Sequence, residues 1–136
     1  GSILARVNPE TGGDLWNTRF ANVPATDVSR SLLCAGTRAW YAADGSLRCF
    51  NVETGLIEWE QYLGFSNDLW QILDLGTALG IIPRNGKSGA GMLLCEKESG
   101  QFLQRIPLAG MGNRIDARTT AAAPLLIGEH KLVRLK

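Results

Sequence analysis

Residues 51–59, Asn-Val-Glu-Thr-Gly-Leu-Ile-Glu-Trp, decide the fold because their pattern recurs along the chain. Residues 8–16, Asn-Pro-Glu-Thr-Gly-Gly-Asp-Leu-Trp, share the Glu-Thr-Gly turn and the tryptophan four residues after its glycine. Residues 96–100, Glu-Lys-Glu-Ser-Gly, form a degenerate third copy. The three glycines are 43 and 45 residues apart, a period that suits a unit of four short strands rather than a helical or leucine-rich repeat.

Four short runs rich in β-forming residues surround the second copy: 32–35, 39–42, 47–52 and 57–62. Between two of them, Asp44-Gly45 predicts a tight hairpin turn, because such a turn needs positive φ angles that glycine adopts without steric cost. In the last run, Ile57, Trp59 and Gln61 alternate with Glu58, Glu60 and Tyr62, as in a strand with two unlike faces. No segment shows sustained apolar spacing of three and four residues, so we predict little helix.

The third unit repeats this order with looser turns. Its predicted strands are 72–75, 78–82, 92–95 and 102–106. An insertion of small and basic residues, 83–91, replaces the Asp-Gly turn, and we expect it to lie on one rim of the fold. Residues 110–114 link this unit to two further predicted strands, 124–128 and 131–135.

This pattern of a hairpin Asp-Gly, an apolar strand, an acidic-Thr-Gly turn and a strand carrying Trp resembles the pyrroloquinoline-quinone-like (PQQ-like) β-propeller repeat. The resemblance implies an all-β fold of three four-stranded antiparallel blades, in which each Trp ring docks onto the neighbouring blade. The third copy departs from the pattern, since Ser99 replaces Thr and Gln104 occupies the Trp position. The repeat signature and docking residues are Thr11, Gly12, Trp16, Asp44, Gly45, Thr54, Gly55, Trp59, Ser99 and Gly100.

The blade at the termini is predicted to be composite. Strands 124–128 and 131–135 would supply its two inner strands, and 3–8 and 14–20 its two outer strands, with the fourth unit's third strand beginning near residue 135. Gly1 and Ser2 have the look of a tag scar, and 3–136 form one three-repeat unit. Closed propellers usually have four to eight blades, so we expect a homodimer forming a six-bladed ring, a different partner chain, or the rest of a longer protein to complete it.

Composition limits the kinds of partner. Fourteen Lys and Arg against thirteen Asp and Glu leave a net charge of +1, which offers no field to hold nucleic acid. The longest apolar run, 121–127, is far short of the ~20 residues that a membrane helix needs. We therefore predict no nucleic-acid partner and no membrane span.

The cysteines and the single histidine offer little chemistry. Cys34, Cys49 and Cys95 lie in strand-like runs outside any CxxC cluster, so we expect small buried residues, with a Cys34–Cys49 disulfide left open. His130 alone excludes metal sites built on several imidazoles, and it lies in a predicted hairpin turn, 128–131. We predict no metal, no cofactor and no catalytic residue.

The favoured function is a non-catalytic scaffold or protein-interaction module, because propeller rims are loops on a rigid support. Candidate partner contacts are Phe65, Trp70, Arg84 and Lys87. Core packing is the simpler interpretation of Trp70, and a solvated loop is the simpler interpretation of the basic residues in the insertion.

The alternative is a fragment of a quinone-dependent dehydrogenase. The resemblance implies adjacent cysteines, a calcium-binding set and a catalytic Asp in such enzymes, and the sequence assembles none of them. Gly86-Lys87-Ser88 does not fit a nucleotide-binding phosphate loop, because the position that the motif requires for its first glycine is occupied by Ile81. Unpaired cysteines favour a cytoplasmic location, and the resemblance leaves a periplasmic one open.

Overall fold

The computed structural model describes residues 2–20, 31–64, 70–83, 91–108, 110–111, 115–119, 123–128 and 132–135. These residues form thirteen strands: β1 Ser2–Val7, β2 Asp14–Phe20, β3 Leu32–Ala35, β4 Arg38–Ala43, β5 Ser46–Asn51, β6 Ile57–Tyr62, β7 Trp70–Asp74, β8 Ala78–Pro83, β9 Met92–Glu96, β10 Phe102–Ile106, β11 Ile115–Thr119, β12 Pro124–Gly128 and β13 Leu132–Arg134. The predicted all-β class is confirmed, since this part of the chain holds no helix and thus none that could cross a lipid bilayer.

The strands form four antiparallel sheets in chain order. The N-terminal sheet pairs β1 with β2, the second sheet has the order β3-β4-β5-β6, the third has β7-β8-β9-β10, and the C-terminal sheet has β11-β12-β13. Within each sheet, consecutive strands of the chain pair with one another, so each four-stranded sheet is a simple meander.

The Asp44-Gly45 turn is confirmed and fixes the register at the middle of the second sheet. Both residues have positive φ angles, 53° for Asp44 and 74° for Gly45. This combination defines a type I′ turn, whose twist matches that of the strands it joins. Ala43 is accordingly paired with Ser46 directly across the turn.

Three apolar clusters lie where consecutive sheets meet. Phe20 of the N-terminal sheet packs with Tyr41 and Phe50 of the second sheet. The second and third sheets share the cluster Trp40, Ala42, Leu47, Cys49, Trp70, Leu79, Ile81 and Cys95. The third sheet meets the C-terminal sheet through Leu73, Ile82, Met92, Met111 and Ile115. Each sheet is therefore stabilised by its neighbours in chain order, through burial of the side chains on its faces.

The ends of the chain differ from the predicted composite arrangement. The C-terminal region forms three strands instead of two, because β11 precedes β12 and β13. The latter two lie where strands 124–128 and 131–135 were predicted. If the unit has four strands, β11, β12 and β13 are its first three, whereas the prediction made β12 and β13 its two inner strands. Among the described residues, β1 pairs only with β2 and β13 only with β12, so two complete four-stranded sheets are present. Most of the predicted insertion 83–91 and the hairpin turn at His130 lie outside the described residues.

Candidate functional site

Three turns with the same backbone geometry follow β1, β5 and β9. We call residues 8–13, 51–56 and 96–101 the first, second and third repeat turns. In each, the glycine N–H donates to the carbonyl of the first turn residue at 2.8 Å, and the first residue's N–H donates to the carbonyl of the last at 2.8–2.9 Å. The φ angles of Gly12, Gly55 and Gly100 are 73°, 73° and 74°. The degenerate third copy therefore keeps the same main-chain turn.

The hydroxyl residue before each glycine reinforces its turn. The side-chain oxygens of Thr11, Thr54 and Ser99 accept the backbone N–H two residues later, at 3.3, 3.3 and 3.2 Å. Because serine offers the same oxygen as threonine, the exchange at Ser99 preserves this bond. Asn51 Oδ1 accepts two further N–H groups, from Glu53 at 2.9 Å and from Thr54 at 3.1 Å.

A tryptophan ring from the preceding sheet covers two of these turns. A Cβ atom added to Gly55 would lie 2.6 Å from Trp16 Cδ2, and one added to Gly100 would lie 2.4 Å from Trp59 Cε3. Real Cβ atoms essentially never approach so closely. Glycine is thus required at both positions for two reasons, the positive φ angle and the close approach of the indole ring.

Polar contacts accompany the ring at the second repeat turn. The Val52 carbonyl accepts Trp16 Nε1–H at 2.8 Å and Arg6 Nη1–H at 3.1 Å. The same guanidinium nitrogen lies 2.6 Å from Glu53 Oε2. The N-terminal sheet therefore binds this turn with an indole ring, an indole N–H and a guanidinium group, which together fix the orientation of the two sheets.

The third repeat turn receives the same kinds of group from different strands. Its Lys97 carbonyl accepts an indole N–H from Trp40 at 3.2 Å, and the Lys97 ammonium lies 5.0 Å from the centre of that ring. Arg38 forms two ion pairs. Its Nη1 lies 2.5 Å from Glu98 Oε2 in the turn, and its Nε lies 2.7 Å from Glu58 Oε2 in its own sheet. The hydrogen bonds that Arg38 donates to both carboxylates, that to Glu98 first, raise the pKa of Arg38. The buried Nε1 of Trp59 finds no hydrogen-bond partner among the described residues.

The first repeat turn is uncovered. Gly12 is exposed, and no atom of the described residues lies within 4 Å of a Cβ placed on it. At the other end of the array, Gln104 on β10 stands where Trp16 and Trp59 stand in the earlier units, and it is also exposed.

A buried glutamine, rather than a tryptophan, connects the third sheet to the C-terminal sheet. Gln71 is 1% exposed, and its Nε2 donates to the Ile115 carbonyl at 2.5 Å. Its Oε1 accepts the Ala117 N–H at 3.0 Å. One side chain thus satisfies two main-chain groups of the edge strand β11, which explains why a polar residue is buried there.

Of the four candidate partner contacts, the structure describes Trp70. Trp70 is 8% exposed and belongs to the core between the second and third sheets, where its carbonyl accepts the Ser31 hydroxyl at 2.5 Å. It is therefore not available at the surface. Phe65, Arg84 and Lys87 lie outside the described residues.

The three cysteines are free thiols. Cys49 and Cys95 are buried as expected, whereas Cys34, on β3, is exposed, which corrects the prediction for that residue. Burial, reinforced by Glu58, raises the pKa of Cys49 to about 11, and burial also raises the pKa of Cys95. Partial desolvation raises the pKa of Cys34, although much of its side chain stays exposed. These thiols therefore stay protonated at neutral pH and are poor nucleophiles.

Within the described ranges, no three His, Cys, Asp or Glu side chains come together in a group that could hold a metal ion. In comparisons with known proteins, the chain matches no protein-family model and no curated protein.

Proposed function

We propose that the chain is a non-catalytic scaffold or interaction module of the β-propeller type, which completes its terminal sheets with strands of another chain. The observation that carries the proposal is the contrast between the repeat turns. Two of them are covered by a tryptophan from the preceding sheet, and no described side chain covers the first, at Gly12.

The arrangement of the two complete sheets supports the propeller type. Both are four-stranded meanders, and the second packs face to face on the third through buried β4 and β5. Their last strands, β6 and β10, are largely exposed, as outer strands of blades are. The recurrence of one turn with one Trp–Gly contact indicates a repeated unit that builds an array.

The N-terminal sheet supplies the reason for completion by another chain. In the described part of the chain it has two strands, and an isolated two-stranded hairpin is marginally stable in water. Ile3 and Val7 on β1 are 57% and 49% exposed, so apolar surface accompanies an open backbone edge. Such an edge pairs readily with a strand of a second molecule. A second copy of the chain is the simplest provider, with its own C-terminal sheet beside β1.

Sedimentation velocity of the full chain over a wide concentration range tests this proposal. We expect a concentration-dependent species of about twice 14.7 kDa. Ile3→Lys places a charge on the open strand β1 and should weaken the association. Leu15→Lys is the matched control, because Leu15 is similarly exposed, at 53%, on β2 of the same sheet. A strictly monomeric chain whose β1 amides exchange as slowly as those of β4 would refute the proposal, since the sheet would then need no completion.

A further inference from the structure

The two covered repeat turns use the same three acceptor features. Each offers a glycine with a φ angle near 74° for an indole ring, a carbonyl for an indole N–H, and a carboxylate for a guanidinium group. At the second turn these are Gly55, Val52 and Glu53, and at the third they are Gly100, Lys97 and Glu98. The covering ring comes from the same repeat position in both cases, Trp16 on β2 and Trp59 on β6. The guanidinium group comes from β1 in one case and from β4 in the other, so the turn defines which groups are bound.

The first repeat turn offers the same features with no donor in the described part of the chain. Gly12 has a φ angle of 73° and is exposed, and its turn is closed by the same two main-chain bonds. Pro9 and Glu10 occupy the positions of Val52 and Glu53, and Glu10 is exposed. The Asn8 side chain accepts the Glu10 N–H at 2.9 Å, as Asn51 does for Glu53, which holds the residue in the same local conformation.

The third unit of this chain lacks the matching donors. Gln104 occupies the position of Trp16 and Trp59. Leu94 occupies the position of Arg6 in the repeat, and Ala78 begins its strand as Arg38 does in the second sheet. A second copy that placed its third sheet beside Gly12 would therefore bring neither an indole ring nor, from these positions, a guanidinium group.

We propose that the first repeat turn is a docking site for a tryptophan carried by a β-strand of a different partner chain, with an arginine of that partner paired to Glu10. This inference rests on the proposed function and makes it more specific, because it assigns high-affinity completion of the terminal sheets to a partner that carries this tryptophan and this arginine. A second copy of the chain would place Gln104 at the same turn, and this contact is weaker because Gln104 has no indole ring. A central, well-packed tryptophan is the kind of residue that dominates interface affinity.

A gain-of-function variant of the full chain tests the inference. Gln104→Trp supplies the missing indole, and since Gln104 is exposed, the substitution leaves the fold intact. We expect self-association measured by sedimentation equilibrium to tighten by about tenfold or more relative to the unmodified chain. Leu103→Trp is the matched control, because it adds a ring at an exposed position of the same strand, one residue before the position that Trp16 and Trp59 hold in the repeat.

A second substitution locates the contact. Gly12→Ala places a methyl group where the ring would lie, and in the Gln104→Trp background it should return association to the level of the unmodified chain. If Gln104→Trp associates no more tightly than Leu103→Trp, or if its gain survives Gly12→Ala, the docking inference is overturned.

The outcomes also separate this inference from the proposed function. Loss of association in Ile3→Lys with no gain in Gln104→Trp supports strand completion and overturns the docking site. A Gly12-dependent gain in Gln104→Trp that Ile3→Lys leaves unchanged supports the docking site and overturns strand completion. Absence of association in every variant, including Gln104→Trp, overturns the docking site.

Discussion

Gly100→Ala should destabilise the chain far more than Gly12→Ala, although the two glycines have the same backbone conformation. Both have φ angles within a degree of each other, 74° and 73°. Alanine in this region costs about 1 kcal/mol or slightly more at either position. At Gly12 that is the whole expected effect, because no atom of the described residues lies within 4 Å of the new Cβ.

At Gly100 a steric effect is added. The new Cβ lies 2.4 Å from Trp59 Cε3 and 2.5 Å from Cζ3, so the ring must move off the turn. Trp59 is half-buried, and lifting it exposes roughly 100 Å² of apolar surface, which at ~25 cal/mol per Å² is about 2–3 kcal/mol. We therefore expect a total loss of about 3–4 kcal/mol in the free energy of unfolding for Gly100→Ala, against about 1 kcal/mol for Gly12→Ala.

Urea denaturation followed by far-ultraviolet circular dichroism measures this difference without using tryptophan fluorescence, which the variants themselves disturb. All samples should have one low protein concentration, because association shifts apparent stability. A double-mutant cycle isolates the ring: in a Trp59→Ala background, Gly100→Ala should cost only the backbone contribution of about 1 kcal/mol. Equal costs at Gly12 and Gly100, or an unchanged cost without the Trp59 ring, would refute the reasoning.

Three further variants test other contacts. Gln71→Leu leaves two buried main-chain groups of β11 unpaired, so unfolding free energy should fall by about 2–4 kcal/mol and the Ala117 amide should exchange faster; retained protection of that amide would contradict the bridging role. Trp16→Phe loses a hydrogen bond that Trp59→Phe does not, so it should cost about 1 kcal/mol more by urea denaturation, and equal costs would argue against that bond. Because the pKa of Cys49 rises from 9.0 to about 11 on folding, the unfolded thiol ionises first, and stability should fall as pH rises from 9 to 11. Cys49→Ala should flatten this fall, and a slope identical to that of the unmodified chain would rule out Cys49 as its source.

The local features of the fold were predictable because neighbouring residues determine them. Asp44-Gly45 specifies its turn through the φ angles that its residues tolerate. The repeat turns were readable for the same reason, since a glycine and a hydroxyl residue at fixed spacing satisfy backbone groups within six residues. Repetition of the turn then revealed the length of the unit.

The contacts between sheets were not predictable from local chemistry. Arg6 meets Glu53 and Arg38 meets Glu98 across separations of 47 and 60 residues. Nothing in the sequence near either arginine distinguishes it from a solvated surface residue. The burial of Gln71 is likewise decided by a strand 44 residues later.

The strand β11 was missed for a different reason. Its sequence, Ile-Asp-Ala-Arg-Thr, alternates apolar and polar residues, but it contains only one large apolar side chain. A search for apolar runs overlooks such a strand, whereas a search for period-two alternation would have found it. The omission made β12 and β13 the first two strands of their unit, whereas they are the second and third strands of the C-terminal sheet.

The first and second repeat units each carry a glycine turn and, four residues later, a tryptophan that covers the turn of the following unit. The acceptor and the donor are therefore different surfaces of the same unit, so every interface has a direction and runs head to tail along the array. Interfaces of this kind do not limit the number of units by themselves. They close into a ring when the rotation from one unit to the next divides a full turn, and they otherwise continue as an open helical filament. In an assembly built by repeating this contact, the angle between adjacent sheets, rather than the chemistry at the glycine, would set the number of units.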